Sequence, residues 1–136
     1  MDDATAITNL LFRYAELMDA ADYDGVAELL ARARIRTGPG PDDTVDARRF
    51  ADRLDRMIVR YDGSPRTRHV TTNPIIEVAA DGATATCRSV YAVFQAVEGF
   101  PLQPYTSGRY HDRFARASTG PGTSPSAPTC PTSSAT

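Results

Sequence analysis

Apolar residues recur at helical spacing along the first sixty or so positions, and then the rhythm changes. Ile7, Leu10, Leu11, Tyr14, Leu17 and Met18 stand three and four apart, which predicts a first helix with a single apolar stripe. Asp22 is a candidate N-cap for a second helix whose buried side carries Val26, Leu29, Leu30 and Ala33. A short strand is expected around Arg34–Thr37, broken by Gly38-Pro39-Gly40-Pro41. Phe50, Leu54, Met57, Ile58 and Tyr61 mark a third helix, ended by Asp62-Gly63-Ser64-Pro65. Beyond it Thr, Val, Ile and Tyr predominate. Strands are expected over 67–78 and 84–96 around the hairpin signal Asp81-Gly82, with a last strand over about 105–114.

Helices first and antiparallel strands afterwards predict an α+β domain over residues 1–116. A helix-covered sheet of this size must curve to close its core, and Gly108 is a candidate bend point. A two-residue turn at Asp81-Gly82 sets His69 opposite Phe94, Thr71 opposite Ala92 and Asn73 opposite Val90. His69, Thr71 and Asn73 then share one face with those apolar partners.

Composition narrows the function classes. The chain has 136 residues, enough for one domain, with 41% apolar and 24% charged side chains. No apolar run approaches the ~20 residues of a membrane helix, so no membrane partner is expected. A net charge of −2 without a basic stripe argues against nucleic acid. The acidic start Met1-Asp2-Asp3 does not look like a signal peptide. Cys87 and Cys130 make no disulfide framework, so a cytoplasmic setting is expected. All 15 basic residues are arginine, which points to a GC-rich gene, since lysine codons are AT-rich.

Three polar residues fall where burial is expected. His69 lies among apolar cross-strand neighbours, Asp19 lies at the C-terminal end of the first helix, and Tyr14 lies on its apolar stripe. An acid at a helix C-terminus is disfavoured by about 0.3–1 kcal/mol, and Asp22 already caps the next helix. A carboxylate against an imidazole fixes the ring tautomer and suits proton transfer, and a buried tyrosine hydroxyl polarises a substrate oxygen. Each also has a plain structural reading: a satisfied core histidine, a turn acid, a core tyrosine. His69, His111, Glu77 and Asp112 have no recognised metal-ligand spacing, so no metal site is expected. There is no phosphate-binding glycine loop and no nucleophile elbow, and no cofactor is expected.

The stretch AITNLLFRYAELMDAADYDGVAELL (6–30), with TRHVTTNPIIEVAADGATATCRSVYAVFQA (67–96) and SGRYHDRF (107–114), resembles the SnoaL-like branch of the nuclear transport factor 2-like superfamily. The resemblance implies a cone-like α+β barrel, with three helices closing a strongly curved antiparallel sheet around an apolar cavity. It also implies a small-molecule enzyme and homo-oligomers. Members include scytalone dehydratase, bile-acid 7α-dehydratase, ketosteroid isomerase and polyketide cyclases, besides noncatalytic dioxygenase β subunits. Asp19 and His69 match the acid and histidine of the dehydratase dyad, and Tyr14 matches the tyrosine of the bile-acid enzyme. Met18 replaces the tyrosine that precedes the acid in scytalone dehydratase, and Phe94 falls near its second pocket histidine. The implied reading is a cofactor-independent dehydratase or isomerase acting on a hydrophobic cyclic molecule. His69, Asp19 and Tyr14 are then catalytic, and Asn73, Phe94, Tyr110 and Met18 line the pocket. The alternatives are a noncatalytic binding or assembly module and an inactive remnant.

Residues 117–136 contain only Ser, Thr, Pro, Ala, Gly and one Cys, with no charge and no periodicity, so a disordered tail is expected. Relatives continue instead with a strand like VDGxWxFAER and an end like DLVGD. Taking each codon of the tail one base earlier permits V-D-G-x-W-x-F-A-E-R and then D-L-V-G-D, with two bases of every codon fixed. A frameshift near Ala117 and a missing last strand are therefore expected.

Overall fold

The computed structural model describes residues 1–117 and, for the backbone only, Pro128–Thr129 and Ser134–Ala135. The rest of the tail expected to be disordered lies outside the described residues. Three helices form, α1 (Asp3–Asp19), α2 (Tyr23–Leu29) and α3 (Ala47–Met57). An aspartate caps each: Asp2, Asp22 and Asp46 accept the backbone N–H of Thr5, Gly25 and Arg49, each at 2.8 Å. Such caps contribute about 1 kcal/mol apiece. The third helix stops at Met57, short of the expected Tyr61. The β-branched pair Ile58-Val59 leaves the helix, with Ile58 at ψ 120°, so Met57 is exposed and Tyr61 joins a turn bridged to Ser64.

Strand β1 (Arg34–Arg36) pairs antiparallel with β2 (Thr44–Asp46). The main sheet runs β3 (Thr67–Val78), β4 (Thr84–Val97) and β5 (Phe100–Ala115), all antiparallel in that order. β5 starts earlier than expected because Pro101 and Pro104 are tolerated in a stretch where its pairing with β4 is irregular. The short strands β6 (Pro128–Thr129) and β7 (Ser134–Ala135) pair with β5, at Phe114↔Pro128 and Gly108↔Ala135. The architecture is α+β, as the pattern of elements predicts.

The β3–β4 register corrects one expectation. Next to the turn the expected pairing holds, with Val78 opposite Ala85. Between Thr72 and Ile75 the register then slips, because β3 has one residue more than β4 there. His69 consequently faces Val93 rather than Phe94, and Thr71 faces Tyr91 rather than Ala92. The slip is accommodated by Asn73 at φ 55°, a left-handed conformation that asparagine tolerates better than most residues.

The core has three parts. Met18, Tyr23, Val26, Leu30, Ala33, Ile35, Ala47 and Ala51 join the end of α1 to α2, β1 and α3. Val26 is fully buried, and burying a side chain of this kind contributes about 1.5–3 kcal/mol. Ile7 and Leu11 pack on Ala85, Cys87 and Phe114 under the start of α1. Between these clusters Tyr91, Val93 and Tyr110 form an aromatic floor against which Tyr14 packs. Gly108 is needed for close approach: a Cβ there would meet the Tyr91 hydroxyl at 2.5 Å.

Candidate active site

The last turn of α1 places the acid. Ala21 N–H donates to Met18 O and Asp22 N–H to Leu17 O, a Schellman closure with Ala21 left-handed at φ 54°. The chain reverses tightly there, so Asp19, the last helical residue, meets the start of β3. Its carboxylate accepts the Thr67 hydroxyl at 2.9 Å and the His69 backbone N–H at 2.9 Å. β3 is an edge strand, and its His69 amide would otherwise lack a partner. These donors offset the unfavourable helix field acting on Asp19.

The imidazole completes the arrangement. His69 Nδ1 lies 2.6 Å from Asp19 Oδ1, and both side chains are largely buried. An ionised carboxylate can only accept, so the Asp19 contact favours a ring proton on Nδ1 and leaves Nε2 as the nitrogen that does not face the acid. His69 lines a cavity of about 1050 Å³ whose floor includes Met18, Ile35, Tyr91, Val93 and Tyr110. Tyr14 also lines it, edge-on to the Tyr110 ring with centroids 6.2 Å apart, while Tyr91 stacks on Tyr110 at 4.5 Å. The exposed side chains of Arg36, Arg53, Met57 and Tyr105 lie at its rim.

Asp19, His69, Tyr14, Met18 and Tyr110 are thus brought together at or behind one cavity wall. Phe94 and Asn73 are not. The register slip in β3 turns His69 away from Phe94, whose side chain follows the outer parity of β4 and lines a second groove with Phe12, Val70 and Leu102, bordered also by Asp19 and His69. Asn73 is exposed at the slip itself. Sequence reasoning missed Thr67 and Tyr91. Thr67 shares a face with His69 two residues on, and Tyr91 alternates with Val93 along β4, so strand parity was the signal available.

One further buried acid stands apart from the cavity. Asp112 faces inward from β5, paired with Cys87, and burial pushes its carboxyl up to about 7. Burial, and then the Asp112 charge, push the Cys87 thiol up to about 11. Among the described residues, no three His, Cys, Asp or Glu side chains group as a metal site would require.

Solved structures share the fold. An NTF2-like protein with a cystatin-like fold from Novosphingobium aromaticivorans is 21% identical, with a TM-score of 0.66 over 94% of this chain and 77% of that one. Aln2 from a Streptomyces species is 20% identical, with a TM-score of 0.69 over 96% and 92%. ActVI-ORFA from Streptomyces coelicolor is 17% identical, with a TM-score of 0.68 over 98% and 95%. Among curated proteins none matches the sequence. The SnoaL-like domain model matches residues 1–120. With that match spanning nearly its whole length, the chain belongs to the SnoaL-like domain family.

Proposed function

We propose that the protein is a cofactor-independent lyase or isomerase that moves a proton on a hydrophobic, cyclic, hydroxyl- or carbonyl-bearing small molecule. The observation that carries this reading is the 2.6 Å contact of His69 Nδ1 with Asp19, on a histidine that lines the apolar cavity. In a dehydration, Nε2 of His69 takes the proton beside the substrate carbonyl, and the freed electron pair forms the new double bond. The hydroxyl leaves with the proton returned by the imidazolium, so the net products are an alkene and water. In an isomerisation the same proton is returned to a different carbon. Asp19 acts as a positioning residue that holds the ring's tautomer, and Tyr14 donates to the substrate oxygen.

Cyclic β-hydroxy ketones with steroid-like, terpenoid and polyketide-like skeletons are the test panel, assayed beside His69→Ala. The expected result is turnover of at least one skeleton, reduced at least about 100-fold in the variant. Equal turnover by His69→Ala removes the proton-transfer role.

A second reading is a noncatalytic ligand-binding module, favoured by the backbone bond from His69 to Asp19, which serves the strand edge with no chemistry at all. It predicts ligand binding that survives in His69→Ala with no turnover by either protein. Homo-oligomers, expected from the family resemblance, fit both readings.

A further inference from the structure

Charge is distributed unevenly around the cavity. The chain carries 17 acidic residues against 15 arginines, yet the lining includes Arg36 and Arg53 and, among the described residues, no Asp or Glu. Arg53 shares the cavity-facing side of α3 with Phe50, Leu54 and Met57. Other arginines on and just after α3 are neutralised: Arg48 pairs with Asp24 and Asp52, and Arg60 pairs with Asp55, whereas Arg49 and Arg56 are exposed and do not line the cavity. Arg53 has neither an ion pair nor a hydrogen bond among the described residues. Arg36 donates Nη1 to Gly40 O at 2.8 Å, which orients its guanidinium and leaves its remaining N–H groups for another acceptor.

An apolar, aromatic floor beneath a cationic rim is complementary to one kind of molecule. We propose that the ligand is an amphipathic anion: its apolar body fills the floor near His69, and its carboxylate or phosphate-type oxygens are held at the rim by Arg53, with Arg36 as the second donor. The inference rests on the reading of this cavity as the reaction site, and it narrows the substrate class to molecules with an anionic end. A guanidinium offers such a group paired N–H donors in a fixed fork, which favours carboxylate and phosphate oxygens over a neutral hydroxyl. The rim is open to water, so the grip discriminates without deep desolvation.

Pyrenebutyrate and pyrenebutanol, which share ring and tether and differ only in the charged end, test this by fluorescence titration at low ionic strength. The acid is expected to bind about tenfold more tightly than the alcohol, with the ratio narrowing as salt rises. Arg53→Gln should bring the ratio close to one without changing the affinity for the alcohol, which also reports that the variant is folded. Arg36→Gln should lower the ratio in part. Arg49→Gln, which removes an exposed arginine that does not line the cavity, should leave it intact. A ratio near one in the unaltered chain, or a ratio unchanged by both Arg53→Gln and Arg36→Gln, overturns the inference while the cavity remains a ligand site. Binding of neither probe overturns the ligand reading of the cavity as well. The proton-transfer reading fails separately, through turnover by His69→Ala, because no turnover enters the binding ratio.

Discussion

Asp19 grips His69 at two points: the ring Nδ1 lies 2.6 Å from Oδ1, and the backbone N–H of the same residue donates to Oδ2 at 2.9 Å. One carboxylate therefore sets both the tautomer of the ring and the position of the strand that carries it. Neither bond can be lost alone by replacing the acid.

Asp19→Asn is accordingly expected to act on stability and on rate together. The amide keeps the shape but cannot accept at both oxygens, so unfolding should become easier by about 1–3 kcal/mol. Turnover should fall at least about 100-fold. His69→Gln should lose turnover with a smaller loss of stability. Thermal unfolding measured beside steady-state kinetics separates the two variants.

Asp112 predicts a pH dependence of stability. Its carboxyl keeps its proton up to about 7 in the folded state, whereas in the unfolded chain it releases it near the ordinary aspartate value of 3.8. Between those values the unfolded state binds fewer protons, so folding weakens as pH rises. The loss approaches ~4 kcal/mol at and above neutrality. Cys87, opposite Asp112 across the strand pair, keeps its own proton over this range. Asp112→Asn should therefore match the parent near pH 4 and exceed it by a few kcal/mol near pH 8. Urea unfolding at both values tests this.

Ala21 sits left-handed at φ 54° in the turn behind Asp19, where a Cβ is disfavoured by roughly 1–2 kcal/mol. Ala21→Gly relieves that strain but gives up the methyl packed against the α1–α2 core. A net gain of up to about 1 kcal/mol is expected, with turnover unchanged. A fall in the denaturant midpoint would mean that the packing outweighs the strain.

The shifted reading of the tail predicts a gene whose alternate frame encodes Trp-x-Phe without a stop codon. A chain continuing after Ala117 with V-D-G-x-W-x-F-A-E-R should give β5 a long outer partner and raise the thermal midpoint by several degrees. A stop codon in that frame, or an unchanged midpoint, removes the frameshift.

Much of this was legible in the sequence because it depends on local rules. Periodicity located α1, α2 and the long strands, Asp22 announced its cap, and the Asp81-Gly82 signal set the pairing next to the turn. Asp19 and His69 stood out because each polar group sat where its surroundings disfavoured it. Phe94 and Asn73 were misplaced for one reason: a slip inside a strand has no periodic signature, and everything beyond it was counted on the wrong parity. Arg53 was passed over because one arginine among fifteen looks like solvated surface until the cavity beside it is known. The third helix was drawn too long because Ile58 and Tyr61 continue an apolar spacing after the backbone has left the helix.

The surplus residue at Asn73 divides β3 into two halves that keep separate phase. Ile76 points inward in the half governed by the turn, and His69 points inward in the half moored by Asp19, although an unbroken zigzag would send them to opposite sides. The loop at 79–83 can accordingly be lengthened or exchanged without dragging the imidazole along, since the slack is taken up midway. The Asp19–His69 contact is insulated from the end of the hairpin that is freest to vary.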